Sequence, residues 1–397
     1  MIYFDNSATT PVDEEVLDAM LPYLREEYGN SLSKYYCKAV NAHNAVEEAR
    51  FQVAKLLGAS SEEIIFTAGA TESINFIIKG YLDYRKYYGD GRNHIITSKA
   101  EHQATLNVCK YLNGEIYSNN DSTFSLLGGS RKVDRGFEAT FVSPNHYGSV
   151  TVGAILEALQ NNTAMVSVIH VNNEVGSISD VRSIAQLCNE RGIAFHVDAT
   201  QSLGKIPIDV KDMGCDYMSC SAHKLYGPKG VGFAYLKSDV YGIEPISAFM
   251  HGGEQEGGYR AGTLAVHNIV GLGKAAEIAR RDFESNRAYI SKMDNYFIKR
   301  LAEIPFISLT NSGNERLPGI ISIVINQSDF NSERFIKKVS DKVAISTGSA
   351  CSAGKPSHVL ESMGLGHLTN KVLRISLSKY TNEAEIDSLI SILKQEV

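Results

Sequence analysis

Short apolar segments that close on a polar residue and then give way to helical character recur through residues 63–236. Glu63–Thr67 runs into GATES at 69–73 and a helix through Lys79, and Asn93–Ser98 precedes a helix from about Glu101. Ala164–Val171 leads to Asn172, Asn173 and Glu174, with a helix near 180–191. Ile193–Val197 ends at Asp198, Asp216–Ser219 ends before SAHK at 221–224, and Gly232–Leu236 follows a turn over Gly227–Gly230. Strands alternating with helices predict an α/β protein with a mainly parallel sheet covered on both faces. Ligands of such sheets collect at the carboxyl ends of the strands. Glu72, His102, Asn173, Asp198 and His223 all fall just past those ends, where side chains distant in sequence can meet.

The rest of the chain has a different rhythm. Residues Asp13 to Leu57 read as two helical stretches parted by a turn over Gly29–Lys34, and Ala265–Ala302 reads as one long helical region. Short strands follow around Leu317–Ile325 and Val343–Ile345, then a helix near 332–339 in sequence between them, a strand at Arg374–Leu377 and a terminal helix from Glu383. The expected division is a large cofactor-binding domain over 13–264 and a small α+β domain made of 1–12 and 265–397. Residues 118–137 are polar and glycine-rich and are expected to form turns and a surface crossing.

The net charge of −6 comes from interspersed acids and bases, so nothing points to nucleic-acid binding. The start, MIYFDNSATT, is not a signal peptide, and no run reaches the ~20 apolar residues that cross a bilayer. Cys37, Cys109, Cys188, Cys215, Cys220 and Cys351 are scattered without a CxxC pair. That pattern predicts reduced thiols, no metal site and a cytoplasmic protein.

The chemistry concentrates at Asp198 and Lys224. A carboxylate at the end of an apolar strand needs a partner. A protonated pyridine nitrogen is such a partner, and a lysine on a short rigid segment can join an aldehyde as a Schiff base. Together they suggest a pyridoxal phosphate site. Gln201 is placed to donate to the phenolic oxygen of the ring, and His102 to lie over its face. Thr71 with the amides of Ala70 and Thr71 fits a phosphate cradle at a helix start, with Ser221 and His223 as further phosphate contacts. Arg374 suits an amino-acid carboxylate. Cys351, in the small-residue run STGSACSAG at 346–354, suits a reactive thiol. Thr263 closes a glycine-rich segment, HGGEQEGGYRAGT at 251–263, and would serve a phosphate across a dimer interface. Singly, Lys224 reads as a surface charge, His102 as a helix-start histidine and Arg374 as a domain-edge ion pair; it is the set that points to one site.

These residues sit in a longer series: DNSATTP at 5–11, FTAGATESIN at 66–75, EH at 101–102, HVNNEVGSI at 170–178, HVDATQSLGK at 196–205, SAHKLYGPKG at 221–230 and SACSAG at 349–354. The series resembles the cysteine desulfurases of the class V aminotransferase family over nearly the whole length. The resemblance implies the type I pyridoxal-phosphate fold, with a seven-stranded sheet, and a homodimer that takes sulfur from L-cysteine, leaving L-alanine. Lys224 would carry the cofactor, His102 stack on it and Asp198 hold its nitrogen, while Asn173 and Gln201 would contact its phenolic oxygen or the substrate. Thr71, Ser221, His223 and the partner subunit's Thr263 would hold phosphate. Asn173 and Arg374 would orient the substrate carboxylate. Cys351 would receive sulfur as a persulfide and pass it to an iron–sulfur scaffold or tRNA-modifying protein. Two departures stand out: GNSLSKYY at 29–36 lacks the usual proline and histidine, and Glu254 and Gly257 replace a glycine and an arginine. They keep open a related lyase, selenocysteine lyase or aminotransferase, or a sulfur-delivery protein with reduced catalysis.

Overall fold

The computed structural model of the protein describes residues 1–115, 133–311, 316–348 and 356–397. After β1 (Ile2–Tyr3) and helices Glu14–Arg25 and Cys37–Leu57, the chain lays down seven strands. These are β2 (Ile64–Thr67), β3 (His94–Ser98), β4 (Glu138–Val142), β5 (Thr163–Ile169), β6 (Ala194–Asp198), β7 (Tyr217–Ser221) and β8 (Gly232–Leu236). They form one sheet in the order β2-β8-β7-β6-β5-β3-β4. Every pairing from β7 to β4 is parallel, and only β8 runs against its neighbours. Its direction follows from length, because ten residues, 222–231, separate it from β7 and a parallel crossover needs a dozen or more. Every residue of β5 to β8 is buried, as a sheet covered on both faces requires.

Helices Ala70–Tyr87 and Gln103–Leu112 cover one face through Ile74, Ile77, Tyr81 and Val108. Helices Cys37–Leu57, Val181–Glu190 and Val266–Arg281 cover the other through Val46, Val53, Ile184, Ile269 and Leu272. A hairpin of β9 (Ser238–Asp239) and β10 (Gly242–Ile243) leads out of the sheet.

A second core lies around the antiparallel sheet of β11 (Ile307–Leu309), β12 (Ile320–Ile325) and β14 (Val372–Ser376). Phe4, Phe297, Ile321, Ile323, Leu373 and Ile386 fill it. The N-terminal arm joins this body through β1, which pairs in parallel with β13 (Val343–Ala344). The long helical region is two helices, Val266–Arg281 and Phe283–Leu301, meeting at Asp282. The first buries Ile269 and Leu272 in the large core, and the second buries Met293 and Phe297 in the small one. The packing thus passes from the large core to the small one at Asp282; helical periodicity shows an apolar stripe without showing which core it faces. The strand β4 and the helix Val152–Ala158 had no counterpart among the expected elements. Most of the expected surface crossing at 118–137 lies outside the described residues.

Candidate active site

A cavity of about 960 Å³ opens at the carboxyl ends of the parallel strands. β6 and β7 are neighbours, so the residues that end them are brought side by side. Asp198 closes β6 and is 3% exposed. Its Oδ1 accepts from the Thr200 amide at 3.0 Å and the Thr200 hydroxyl at 2.5 Å. Its Oδ2 accepts no hydrogen bond from the described residues, so one oxygen is fixed and the other is available to the cavity.

Past Ser221, a single 3₁₀ turn over Ala222–Lys224 swings the lysine into the same space. The Lys224 Nζ donates to the Ser7 carbonyl and, at 2.6 Å, to the Ala8 carbonyl. The N-terminal arm is thus part of the site. Gln201 donates from Nε2 to the same Ser7 carbonyl at 2.9 Å, and Thr9 Oγ1 lies 3.2 Å from His223 Nδ1.

Helix Ala70–Tyr87 starts at the cavity with its first-turn amides, which have no partner inside a helix. Gly69 precedes it at φ 151°, and a β-carbon there would stand 3.5 Å from Ser221 Oγ. Ala70, Thr71 and Ser221 therefore converge on a donor-rich corner suited to an anion. Glu72 is turned away from the corner, accepting from Arg260 Nε at 2.7 Å and the Ala68 amide at 2.8 Å.

Burial favours the neutral form of two of the cavity histidines. His102 caps the helix Gln103–Leu112, its Nδ1 accepting from the Ala104 amide at 3.2 Å, which places the ring proton on Nε2. Burial lowers its pKa, with Asp198 acting in the opposite sense. Burial, then the charges of Lys224 and Lys229, push His223 down to about 4.

Of the paired asparagines, Asn172 is spent on structure. Its Oδ1 accepts from the Glu174 and Val175 amides at 2.8 and 3.0 Å, and its Nδ2 donates to the Ala100 carbonyl. That turn presents Asn173 to the cavity. Arg374, from β14 of the small body, crosses to meet it and is almost wholly buried at 1% exposure. Its Nη1 donates to the Asn173 and Gly348 carbonyls at 2.9 and 3.0 Å, and its Nη2 to Asp5 Oδ1 at 2.7 Å. Its buried Nε has no partner among the described residues.

Glu174 accepts from the Ser357 hydroxyl at 2.5 Å, and a β-carbon on Gly348 would stand 3.1 Å from its Oε2. Gly348 and Ser357 flank the segment that carries Cys351, so both sides of that segment are held at the cavity. Cys351 itself lies outside the described residues. Four other cysteines, Cys109, Cys188, Cys215 and Cys220, are buried, and burial raises each thiol pKa. Thr263 is exposed and does not line the cavity of its own chain.

Residue reasoning did not assign roles to the Ser7 and Ala8 carbonyls, Asp5, Glu174 or His358. His358 Nε2 lies 2.9 Å from the Glu101 carbonyl, at the cavity wall. The DNSATTP run was the available signal for the arm, but backbone acceptors leave no mark in side-chain chemistry.

The sequence profile of the family described as Aminotransferase class-V matches residues 2–117 and 130–389. The chain belongs to the class-V aminotransferase family. Cysteine desulfurase IscS of Salmonella arizonae is 38% identical to this class-V member, over 100% of this chain and 92% of its own length. Among solved structures, a NifS-like protein matches with a TM-score of 0.85 at 33% identity, over 99% of this chain and 98% of its own. A structure described as SspA in complex with cysteine matches with a TM-score of 0.78 at 33% identity, over 96% and 100%. The fold of this class-V member is that of the type I pyridoxal-phosphate enzymes.

Proposed function

We propose that this class-V enzyme is a pyridoxal-phosphate-dependent cysteine desulfurase that converts L-cysteine to L-alanine and receives the sulfur on Cys351. The observation that carries the reading is the meeting, in one cavity, of the Asp198 carboxylate, the Lys224 amine and the helix-start anion corner. The donor set fits the cofactor: an aspartate oxygen without a hydrogen-bond partner among the described residues for the ring nitrogen, a lysine for the aldehyde, and amides with Thr71 and Ser221 for the phosphate. Gln201 takes the phenolic oxygen and His102 the ring face. The exposure of Thr263 outside its own cavity supports its service to the second subunit of a homodimer.

When bound, the cofactor supplies the electron sink that loosens the substrate's Cα proton and its carbon–sulfur bond. Asp198 keeps a proton on the ring nitrogen by placing a fixed negative charge against it. Arg374 holds the substrate carboxylate through its remaining N–H donors, with its orientation fixed by Asp5 and two carbonyls. Asn173 steadies the same end of the substrate. Lys224 removes the Cα proton. The Cys351 thiolate attacks the substrate sulfur, forming the S–S bond as the Cβ–S bond breaks, and the carbon skeleton takes up a proton to leave as alanine. The persulfide then passes to an acceptor protein.

Among the described residues no helix is long and apolar enough to cross a membrane; the reduced thiols support a cytoplasmic site. The deciding experiment incubates purified protein with L-cysteine and follows alanine together with the mass of the Cys351 peptide. Alanine and one added sulfur per Cys351 are expected in step. Pyruvate in place of alanine, or alanine with an unmodified Cys351, refutes the assignment.

A further inference from the structure

Lys205 belongs to none of the roles above, yet it is a cation held directly behind the cofactor cavity. Its Nζ donates to Gln201 Oε1 at 3.1 Å, and it lines a second cavity of about 340 Å³ that shares Lys224 and Ser7 with the first site. No carboxylate pairs with it among the described residues. Burial pushes its amine down to about 8, leaving it mainly charged at neutral pH. The turn that carries it is hydrogen-bonded and closely packed. The Lys205 amide donates to the Ser202 carbonyl at 3.0 Å. Gly204 stands at φ 70°, where a β-carbon would meet Leu225 Cδ1 at 2.3 Å.

These contacts remove the ambiguity of an amide side chain. Gln201 is 3% exposed. Its oxygen is taken by an obligate donor, Lys205, and one N–H of its nitrogen by an obligate acceptor, the Ser7 carbonyl. A flipped amide would set its NH₂ against an ammonium and its oxygen against a carbonyl. Only one N–H is left over for a ligand.

We propose that Lys205 is a positioning residue for the cofactor, locking Gln201 so that its free N–H faces the phenolic oxygen and polarising that amide with its own charge. This deepens the proposed function and rests on it. Without Lys205, Gln201 can rotate, and a positive charge is lost near the ring. Both changes favour the proton that the phenolic oxygen shares with the lysine-bound nitrogen, so the pH midpoint of the visible band rises.

The test titrates the cofactor's visible band against pH and its affinity by fluorescence quenching, in wild type, Lys205→Met, Lys205→Arg and Gln201→Ala. Lys205→Met is expected to raise the midpoint by about one unit and to weaken cofactor binding by about tenfold. Lys205→Arg restores both. Gln201→Ala reproduces most of the effect, and the double variant adds little to it, as a shared route demands. A Lys205→Met protein with wild-type midpoint and affinity overturns the inference. If Lys205→Met does not fold, a Gln201→Ala midpoint equal to wild type overturns it instead. A wild-type protein with no visible band refutes the cofactor reading itself, a separate outcome.

Discussion

Replacing Glu256 by alanine tests how the glycine-rich segment at 251–263 is tied to the strand that leads into the donor-rich corner. Glu256 has a side chain 1% exposed and accepts from Arg50 at both nitrogens, 2.8 Å each, and from the Phe66 amide in β2 at 2.7 Å. Arg50 also donates to the Ile64 carbonyl at 2.6 Å and stacks over the Phe66 ring. The carboxylate therefore joins helix Cys37–Leu57, β2 and the segment that carries Thr263. Breaking a buried pair from one side costs about 3–5 kcal/mol, and a stranded amide adds about 1–3 kcal/mol. Arg50 keeps a contact with the more exposed Glu47 at 3.2 Å, so we take the lower part of the range, about 4 kcal/mol. With an unfolding entropy of about 2.1 cal/mol/K per residue, the 397 residues give about 0.8 kcal/mol/K, hence a fall in Tm of about 5 °C. Calorimetry on cofactor-free protein keeps ligand linkage out of the measurement. Glu256 also sits at φ 51°, so Glu256→Gly sheds backbone strain and should lie about 1 kcal/mol above Glu256→Ala. A fall smaller than about 1 °C in the alanine variant would refute the assignment of this carboxylate as a buried tie.

Lys224→Ala is expected to lose the visible band and all alanine formation while retaining the fold, checked by absorbance and circular dichroism. Cys351→Ala is expected to keep the band and lose persulfide, with alanine release down by about 10²-fold. Arg374→Lys gives up a planar fork for a point charge, so KM for L-cysteine should rise about tenfold or more with the visible band unchanged. Glu101 predicts a pH effect. Burial, offset in part by the Ser98 hydroxyl and increased by Asp198, pushes its carboxyl from 4.5 to about 8. Between those values the folded chain keeps a proton that the unfolded chain releases, so this group's contribution to stability falls as pH rises through the window. Tm measured from pH 5 to 8 should decline less steeply in Glu101→Gln than in wild type.

The large sheet was legible because six of its strands are buried along their whole length and most alternate with helices. Gly232–Leu236 and the helix at 332–339 match the expected bounds. β4 escaped because it is an edge strand with only Val142 buried, so it shows no continuous apolar run. That the polar residues on strand ends meet at one cavity was legible for the same reason the sheet was: a polar residue that stops a buried strand stands at the carboxyl edge. What could not be read was the role of each neighbour in a pair. Asn172 and Asn173 are identical as letters, and only the turn decides that one braces the backbone and the other faces the cavity.

The N-terminal arm shows the deeper limit. Its contribution is made by backbone carbonyls at Ser7 and Ala8 and by Asp5, all delivered from the small body through β1 and the Asp5–Ser376 bridge. Arg374 comes from that same body and grips Asp5 on one side and the Asn173 carbonyl of the large body on the other. Arg374 is therefore placed by how the two bodies meet, whereas Lys224 meets the small body only through the arm's Ser7 and Ala8 carbonyls. A change that shifts the small body, such as loss of the Asp294–Arg316 pair that braces Gly319, should disturb substrate orientation before it disturbs cofactor binding. Asp198 ends β6 and Thr71 opens the helix Ala70–Tyr87, both in the large body. A proportional loss of both properties in Asp294→Asn would show instead that the two bodies act as one rigid unit at the site.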